Sequence, residues 1–357
     1  MTAVSPATGP VAVTGASGYI GSWIVHDLLE RGYGVRACVR DPSIPEKVDH
    51  VLAMNNDPAL RGQVELFAAD LFEPGSYDDA FSGTSAVIHA GAAVGFNQET
   101  PQEVYDGCFT ENRHVIDSVK KAGTVRRVVF TSSFAAVSHP RPGGYVYTEK
   151  DWCGDNLDAY EGRWTEENIA KDRNIAYAMA KARTEQLLYE EAEADGGFDA
   201  ISILPIHVIG PLMCKNHDQG WSWQNCIRYM LMGKQYKKSP GGRMLWNNVD
   251  VRDTARAHRL CLESTVAKNG SRYILSASDR SGELFTWELQ AKLQALYPAV
   301  ADIGGEEMEN GAPKEPTRDA PRSYCLLAKQ ELGLETHTID DTLRATIDSY
   351  YALGLLP

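Results

Sequence analysis

Short, nearly continuous apolar runs recur along the N-terminal part of the chain, and helix-like segments separate them. The runs begin with VAVT at Val11 and continue with GVRACVR, VELFAADL, AVIHAGA, RVVFTSS and AISILPIHVIGP. Buried strands that alternate with helices in this way are typical of a parallel sheet covered on both faces. The pattern therefore predicts an α/β fold built on a doubly wound parallel sheet.

Apolar residues at helical spacing predict where the helices lie. In YIGSWIVHDLLERG, Ile20, Ile24 and Leu28 share one face, and Gly32 is expected to end the helix. Further helices are predicted over about 104–122, in WSWQNCIRYMLMGKQY, and in DDTLRATIDSYYALGLL near the end of the chain.

Beyond the last of these runs the regular alternation loosens, which predicts a second, smaller part of the fold. MLWNNVDVRDTARAHRLCLES indicates a strand that leads into a helix, and the polar, Gly- and Pro-rich segment 304–322 indicates a surface loop. We predict a first domain over residues 9–205, to which residues 245–278 return. Residues 206–244 and 279–357 would form a smaller C-terminal lobe interleaved with it.

Composition and charge narrow the class of protein. Hydrophobic residues make up 43% of the 357 residues, enough for a substantial core, and the formal net charge is −13. This charge argues against nucleic acids and anionic membranes as partners, because both select clustered Lys and Arg. The start of the chain shows no signal-like segment, and there is no run of about 18 apolar residues. A cytoplasmic protein without a membrane span is expected.

The seven cysteines are scattered, their number is odd, and no C-x-x-C motif occurs. Free thiols in a reducing compartment are the simplest interpretation of this pattern. No metal site is expected.

Three glycines follow the first predicted strand. In VAVTGASGYIGSWI, Gly15, Gly18 and Gly21 have the spacing G-x-x-G-x-x-G, which differs from the G-x-G-x-x-G of the standard dinucleotide fingerprint. The physical requirements are similar, since the glycines permit a sharp turn, a close approach of backbone to a pyrophosphate, and close packing of the helix. The alternative is a glycine-rich turn without a ligand. Their place in the first strand–helix unit favours a dinucleotide site.

The end of the second predicted strand indicates which dinucleotide binds. NAD sites usually carry Asp or Glu there for the ribose 2′-hydroxyl, whereas VRACVRDP places Arg40 at this position and Lys47 follows in the next loop. A guanidinium suits a 2′-phosphate, so NADP(H) is the predicted cofactor. Asp41 could still bind a ribose hydroxyl, and each cation could be an ordinary solvated side chain.

The segment YAMAK places a tyrosine and a lysine one helical turn apart. Tyr177 is the only one of sixteen tyrosines with a lysine four residues on, so Lys181 lies on the same helix face. Upstream, RVVFTSS places Thr131, Ser132 and Ser133 at the carboxyl end of a predicted strand, the edge where such sheets bind ligands. Taken alone, Tyr177 and Lys181 could be a surface pair.

Together these motifs resemble the extended short-chain dehydrogenase/reductase superfamily, in which T-G-x-x-G-x-x-G, a strand-end serine and Tyr-x-x-x-Lys occur in this order. More narrowly, VRACVRDP, RRVVFTSS, LPIHVIGP and VDVRDTARAH resemble the branch that contains dihydroflavonol reductase, cinnamoyl-CoA reductase and the yeast and fungal carbonyl (aldehyde) reductases. The similarity runs from Val11 to the last predicted helix. It implies a Rossmann-type NADP-binding domain over residues 9–205 and a smaller substrate-binding lobe.

The resemblance also implies roles for three polar residues. Tyr177 would be the general acid that protonates a carbonyl oxygen as hydride arrives. Because free tyrosine titrates near about pH 10, the positive charge of Lys181 would be needed to make the phenol a stronger acid. Lys181 would also bind the nicotinamide ribose. Ser133 would hydrogen-bond the carbonyl oxygen, since the family's serine is the last hydroxyl of the triplet, and Ser132 would face the sheet or a helix.

Further cofactor contacts are implied by position. They are Ser17, Tyr19 and Ile20 beside Gly15 and Gly18, Asp70 and Leu71 at the adenine end of the third strand, Ala90 and Ala92 in the next loop, and Pro205 and Val208 near the nicotinamide.

Many members of the family also use an Asn in the helix before the serine strand. Asn112 and His114 both lie near that place, so this role stays open between them. His89 and His258 are expected to be structural, because the mechanism already has its acid.

Bulky side chains favour an apolar or aryl substrate. Phe96, Trp221 and Trp223 fall in segments that border the pocket in this architecture, although such residues also pack lobes. The predicted function is the NADPH-dependent reduction of an apolar or aryl ketone or aldehyde to the alcohol. The enzyme would act on a small molecule as a monomer or homodimer.

Two alternatives remain open. A sugar-nucleotide epimerase or dehydratase would share the fold and the Tyr-Lys pair, but dehydratases often carry an acidic pair after the strand-end serine. This chain has Phe134, Ala135 and Ala136 there. A non-catalytic nucleotide sensor would have lost Tyr177 and Lys181, and both are present.

Overall fold

The computed structural model describes residues 3–92, 99–139, 141–154, 165–218, 222–232, 245–277, 283–298 and 322–356. Its strands are, in chain order, β1 Val11–Thr14, β2 Gly34–Val39, β3 Gln63–Ala68, β4 Ala86–His89, β5 Arg127–Thr131, β6 Val146–Tyr147, β7 Asp199–Pro205, β8 His207–Ile209, β9 Leu245–Asp250, β10 Ser271–Leu275, β11 Glu283–Phe285 and β12 Arg322–Ser323.

Seven of these strands form one sheet in the order β10-β7-β5-β4-β1-β2-β3, and every neighbouring pair is parallel. The chain moves outward from β1 to β3 and then in the other direction from β4 to β10. The switch point therefore lies between β1 and β4, and ligands of such sheets bind beyond the carboxyl ends of the strands at this point. The predicted Rossmann-type doubly wound fold is confirmed.

The helices are α1 Tyr19–Glu30, α2 Pro45–Leu52, α3 Asp78–Phe81, α4 Pro101–Ala122, α5 Glu166–Ile169, α6 Arg173–Asp195, α7 Trp223–Leu231, α8 Val251–Glu263, α9 Thr286–Leu296, α10 Leu326–Leu332 and α11 Ile339–Ala352.

The sheet has a core on each face because successive side chains of a strand point to opposite sides. Val11 and Val13 of β1 pack in one core with residues of α1 and α8. Ala12 packs in the other core with residues of α4 and α6. This arrangement explains why the strands are apolar at nearly every position rather than alternating.

Local signals set the ends of the helices. The hydroxyl of Thr100 accepts a hydrogen bond from the Glu103 N–H, and the Glu103 carboxylate accepts one from the Thr100 N–H. This capping box starts α4 at Pro101, a little before the predicted boundary at 104. The last helix ends at Ala352 rather than near 356, because Gly354 takes a left-handed conformation with φ 62°.

A small second sheet has the order β11-β9-β8 and supports the C-terminal part of the chain. Ile227 of α7, Trp246 of β9 and Tyr350 of α11 share its buried core. Residues 245–250 thus belong to the small sheet, whereas residues 271–275 join the large one. The division into a domain of 9–205 with 245–278 and a lobe of 206–244 and 279–357 stays a prediction.

The surface loop predicted over residues 304–322 lies outside the described residues, except for Arg322 at its end. Within the described ranges, none of the helices is long and apolar enough to span a bilayer.

Candidate active site

The glycine motif spans the loop from β1 and the first turn of α1, and it has no room for a side chain at Gly15 or Gly21. Gly15 has φ +64°, and a Cβ there would lie 2.6 Å from the Cα of Gly91. A Cβ on Gly21 would lie 2.1 Å from the Gly15 carbonyl oxygen. Only glycine therefore allows this turn and this close approach of α1. Gly18 directly precedes α1, where the first N–H groups of a helix can bind an anion.

A cavity of about 770 Å³ lies beside this loop at the carboxyl edge of the sheet. The predicted cofactor residues that line it are Gly15, Gly18, Tyr19, Ile20, Ala90, Ala92, Pro205 and Val208. Ser133, Tyr177 and Lys181 line the same cavity. The fold thus brings the switch point, the strand-end serine and the Tyr-Lys pair to one space.

Tyr177 and Lys181 lie on the cavity side of α6. Lys181 is only 3% exposed, and its Nζ lies 5.9 Å from the centre of the Tyr177 ring and 3.5 Å from the Thr131 carbonyl oxygen. Its ammonium also lies 5.1 Å from the centre of the Phe130 ring. A lysine held in this way is not a solvated side chain, so the surface-pair alternative does not hold.

The charge of Lys181 is maintained by its neighbours. Burial by itself lowers the pKa of Lys181, but negative charge on Tyr177, Cys108, Glu111 and Glu185 acts in the opposite direction, so the pKa is raised overall. The ammonium therefore stays charged at neutral pH and places a positive charge beside the phenol.

The two serines after β5 have different surroundings. Ser132 is buried, and its hydroxyl donates a hydrogen bond to Glu185 Oε1 on α6 at 2.5 Å. Both serines line the cavity, but the Ser133 hydroxyl makes only a local contact, since its Oγ accepts a hydrogen bond from the Ala135 N–H at 3.2 Å. The contact of Ser132 with α6 agrees with the prediction that Ser132 faces the sheet or a helix, while the catalytic role of Ser133 stays a prediction.

Both polar atoms of the Asn112 side chain on α4 are hydrogen-bonded to neighbouring groups. Its Oδ1 lies 3.0 Å from His89 Nε2, and its Nδ2 donates to the Cys108 carbonyl oxygen at 2.7 Å. His114 points elsewhere, with Nδ1 2.9 Å from the Leu71 carbonyl oxygen. Neither residue lines the cavity, so the fourth catalytic role stays unassigned.

His89 is part of a buried hydrogen-bond chain that holds the cofactor loops. Its Nδ1 lies 2.7 Å from Thr14 Oγ1, which also accepts the Gly91 N–H at 3.0 Å. Burial and the charge of Lys181 lower the pKa of His89 to about 3, so the ring is neutral. His258 is buried as well, between the Thr131 hydroxyl and the Thr254 carbonyl. These contacts agree with structural roles for both histidines.

A second cavity of about 260 Å³ adjoins the first, since Gly18 and Tyr19 line both. Of the predicted cofactor residues, Ser17 and Lys47 line this smaller space. Its position next to the glycine loop suits the phosphate side of a dinucleotide.

Arg40 lies at the end of β2 and pairs with Asp70 at the end of β3, with 3.2 Å between Nε and Oδ2. Its side chain is 69% exposed and open to a ligand. Arg40, Asp70 and Leu71 line neither cavity. The assignment of Arg40 and Lys47 to a 2′-phosphate therefore stays a prediction.

Two neighbours of Arg40 are occupied by local contacts. Asp41 accepts hydrogen bonds from the hydroxyl and N–H of Ser43, and these bonds lower the pKa of the Asp41 carboxyl. Arg36 donates to the carbonyl oxygens of Ala80 and Ser82 at the edge of the sheet. Arg40 and Lys47 therefore remain the residues predicted to bind the phosphate.

Among the residues that the structure describes, one group of possible metal ligands occurs, near the smaller cavity. Ligand atoms of His50, Cys214 and His217 lie within 4.8 Å of one another. His217 already uses both ring nitrogens, since Nε2 lies 3.2 Å from the Ser17 carbonyl oxygen and Nδ1 accepts the Met213 N–H at 3.3 Å. Burial raises the pKa of the Cys214 thiol, so it stays protonated. The absence of a metal site stays a prediction.

One wall of the larger cavity contains Ile206, His207, Trp223 and Leu245. Sequence reasoning named Trp223 but missed His207, although it lies inside the quoted segment LPIHVIGP. Its position between two residues assigned to the cofactor was the available signal.

Phe96 and Trp221, which were also predicted to border the substrate, lie outside the described residues. Their part in the pocket therefore stays a prediction.

A parallel sheet with a glycine loop at its switch point, a strand-end serine and a tyrosine beside a buried lysine defines a dinucleotide-dependent class of proteins. The model of the NAD dependent epimerase/dehydratase family matches residues 11–275. The chain belongs to this family.

Relatives narrow the branch. Cinnamoyl-CoA reductase CAD2 from Medicago truncatula is 29% identical over 343 residues, which cover 95% of this chain and 94% of that protein. A bifunctional dihydroflavonol 4-reductase/flavanone 4-reductase from Malus domestica is 37% identical over 352 residues, which cover 97% of this chain and 92% of that protein. The predicted resemblance to this extended short-chain branch is confirmed.

A solved structure shares the fold over the whole length. Gre2 from Candida albicans in complex with NADPH superimposes with a TM-score of 0.79 and 21% identity, covering 97% of this chain and 99% of that chain. At this identity the likeness shows the fold.

Proposed function

We propose that this protein is an NADPH-dependent carbonyl reductase that converts an apolar or aryl ketone or aldehyde to the alcohol. The observation that carries the proposal is that Ser133, Tyr177 and Lys181 line one cavity together with the glycine loop and a largely apolar wall. The same cavity thus offers a cofactor side, a proton donor and a substrate side.

The chain is an oxidoreductase, and its cofactor is NADP(H). Its relatives from Medicago truncatula and Malus domestica are named as reductases, and Gre2 from Candida albicans has been solved with NADPH. The enzyme class and the cofactor predicted from the sequence are thereby confirmed.

The residues present fit this cofactor. The turn at Gly15 and the close packing at Gly21 leave bare backbone at the start of α1, where a pyrophosphate binds. Arg40 and Lys47 would hold the 2′-phosphate, and Lys181 would hold the nicotinamide ribose. NADPH supplies the hydride when it is bound.

The chain itself supplies the proton and the polar contacts. Ser133 would donate a hydrogen bond to the carbonyl oxygen of the substrate. Tyr177 would donate its phenolic proton to the same oxygen as negative charge develops on it. The buried ammonium of Lys181 stabilises the phenolate that remains, since it lies beside the ring and its charge is retained.

The lining of the cavity favours a neutral substrate. Among the described residues that line it, Lys181 is the one Lys or Arg, and the proposed mechanism already uses it. A diphosphate or a coenzyme A tail would call for further cations. Phe134 and Ala135 line the cavity where a dehydratase often carries an acidic pair, so no acid–base pair for sugar chemistry is present at these positions.

The test is to follow NADPH absorbance while the purified protein meets aryl ketones, aliphatic ketones, aldehydes and a uridine diphosphate sugar. We expect oxidation of NADPH with aryl carbonyls and formation of the matching alcohols. Conversion of the nucleotide sugar without net use of NADPH, and no reaction with any carbonyl, would favour the epimerase alternative.

A further inference from the structure

His207 begins β8 and has its proton assigned by a backbone contact. Its Nδ1 accepts a hydrogen bond from the Asn247 N–H on β9 at 3.0 Å. Because Nδ1 is the acceptor, the single hydrogen of the neutral ring lies on Nε2. Burial lowers the pKa of His207 to about 4, so the ring is neutral at the pH at which most enzymes work.

Two tryptophans hold the His207 ring in place. The centre of the ring lies 4.5 Å from that of Trp223 and 5.4 Å from that of Trp246. Trp246 is itself buried, and its indole N–H donates to Thr286 Oγ1 at 3.1 Å. With Nδ1 bound to β9 and the ring against two indoles, the donor at Nε2 has a set direction.

The Nε2–H group is available for a ligand. His207 lines the 770 Å³ cavity that Ser133 and Tyr177 also line. Within the ranges that the structure describes, Nε2 has no hydrogen-bond partner, although Nδ1 is engaged. The neighbouring Ile206 and Leu245 add apolar surface to this wall. The wall therefore combines an apolar face with one oriented, neutral donor.

We propose that His207 is a specificity-determining residue whose Nε2–H binds a second oxygen of the substrate. The preferred substrates would be ketones or aldehydes that carry an ester, ether, hydroxyl or further carbonyl oxygen in addition to the reacting carbonyl. The inference rests on the proposed function, since it adds a contact to the substrate of the same cavity.

A neutral donor selects oxygen acceptors by hydrogen bonding and does not depend on a charge on the substrate. A substrate without the second oxygen would leave the His207 Nε2–H group without a hydrogen bond once it displaces water from the wall. An unpaired donor of this kind lowers kcat/KM for that substrate. His207 does not supply the proton of the reaction, because its imidazole is neutral and Tyr177 is the proposed general acid.

The test compares two ketones of similar length, ethyl benzoylacetate and 1-phenylhexan-1-one, in the wild type and in His207→Leu and His207→Gln. The quantity of interest is the ratio of kcat/KM for the oxygenated ketone to that for the apolar one, which cancels general effects of each variant. We expect this ratio to fall by about tenfold in His207→Leu, as for the loss of one hydrogen bond. His207→Gln keeps an N–H donor and should retain most of the ratio.

Two results would overturn the inference. One is an unchanged ratio in His207→Leu, which would mean that Nε2 does not contact the substrate. The other is an equal fall for both ketones in both variants, with NADPH affinity reduced as well, which would make His207 a purely structural residue. Failure of the proposed function is distinct, because the wild type itself would then oxidise no NADPH with either ketone.

Discussion

The hydroxyl of Ser132 donates a hydrogen bond to Glu185 Oε1 at 2.5 Å and thereby joins the end of β5 to α6. Ser133 directly follows Ser132 in the chain. On α6, Lys181 lies about one turn before Glu185, and Tyr177 lies about two turns before it. The other carboxylate oxygen of Glu185 accepts Arg272 Nε at 2.8 Å. This buried contact therefore sets the spacing between the serine and the Tyr-Lys pair.

The first prediction concerns the stability of this contact. Glu185→Gln should lower the free energy of unfolding by about 3 kcal/mol, because it leaves the Arg272 guanidinium buried without its carboxylate. Chemical denaturation measures the change. Glu167→Gln is the matched control, since Glu167 pairs with Lys171 at the exposed surface of α5 and should cost no more than about 0.5 kcal/mol. Equal effects of the two substitutions would show that the buried pair does not stabilise the fold.

The second prediction tests the general acid. Tyr177→Phe should lower turnover by about 10²- to 10⁴-fold and leave NADPH affinity near normal, because only the phenolic proton is removed. Steady-state kinetics and titration calorimetry measure the two quantities. Tyr189→Phe is the control on the same helix, since Tyr189 donates to Ser202 Oγ and does not line the cavity. Turnover of Tyr177→Phe within about tenfold of the wild type would contradict the assignment.

The third prediction separates the two serines. Ser133→Ala should lower kcat/KM strongly with little loss of stability, because the Ser133 hydroxyl borders the cavity and makes one weak backbone contact. The Ser132 hydroxyl borders the same cavity but is bound to Glu185. Ser132→Ala should instead lower the free energy of unfolding by about 2 kcal/mol, since it removes a buried donor to a carboxylate. Kinetics and denaturation on both variants give the comparison. The opposite order of activity losses would place the catalytic hydroxyl at Ser132.

The fourth prediction concerns cofactor choice. A charge-assisted hydrogen bond contributes roughly 1.5–3 kcal/mol, so the Arg40→Ala, Lys47→Ala double variant should bind NADPH on the order of a hundredfold more weakly. NADH affinity should change little, because NADH has no 2′-phosphate. Titration calorimetry with both cofactors measures the difference.

Arg36→Ala serves as the control for cofactor choice, since Arg36 contacts carbonyl oxygens at the sheet edge and the Phe67 ring. It should leave the preference for NADPH intact. Equal losses for NADPH and NADH in the double variant would mean that Arg40 and Lys47, which lies on α2 and not in a loop as predicted, hold this part of the chain in place and do not bind the phosphate.

The fifth prediction follows from the buried neutral histidines. Burial lowers the pKa of His258 to about 4, and burial with the Lys181 charge lowers that of His89 to about 3. A histidine in the unfolded chain takes up a proton at about pH 6.5, so below that pH the unfolded state binds more protons than the folded state. The stabilisation that depends on the neutral rings is therefore fully present above about pH 6.5 and is lost as the pH falls from there toward 4.

Each such histidine should contribute a slope of up to about 1.4 kcal/mol per pH unit in this window. Denaturation curves at pH 5, 6 and 7 measure it, and His258→Gln should show a shallower dependence than the wild type. A stability that is flat between pH 5 and 7 would mean that these rings become protonated in the folded protein.

The sequence by itself determined the class of fold, the position of the glycine turn and the pairing of Tyr177 with Lys181 on one helix. Apolar strands that alternate with helices admit few arrangements other than a covered parallel sheet, and local rules place Gly15, Gly18 and Gly21 in its first turn. The residues of YAMAK share a helix face by spacing alone. These inferences succeeded because each depends on neighbours within a few residues along the chain.

Only the tertiary structure decided which polar groups are available. β10 was not among the predicted strands, and its Arg272 is buried because Glu185, far away in the sequence on α6, pairs with it. The same carboxylate accepts a hydrogen bond from the Ser132 hydroxyl, so that the Ser133 hydroxyl is the one available to a substrate. The candidate role of His207 follows from its contact with the Asn247 N–H, which occupies Nδ1 and leaves the hydrogen on Nε2. Burial and hydrogen bonding between distant segments set these states, and a local sequence pattern carries no record of them.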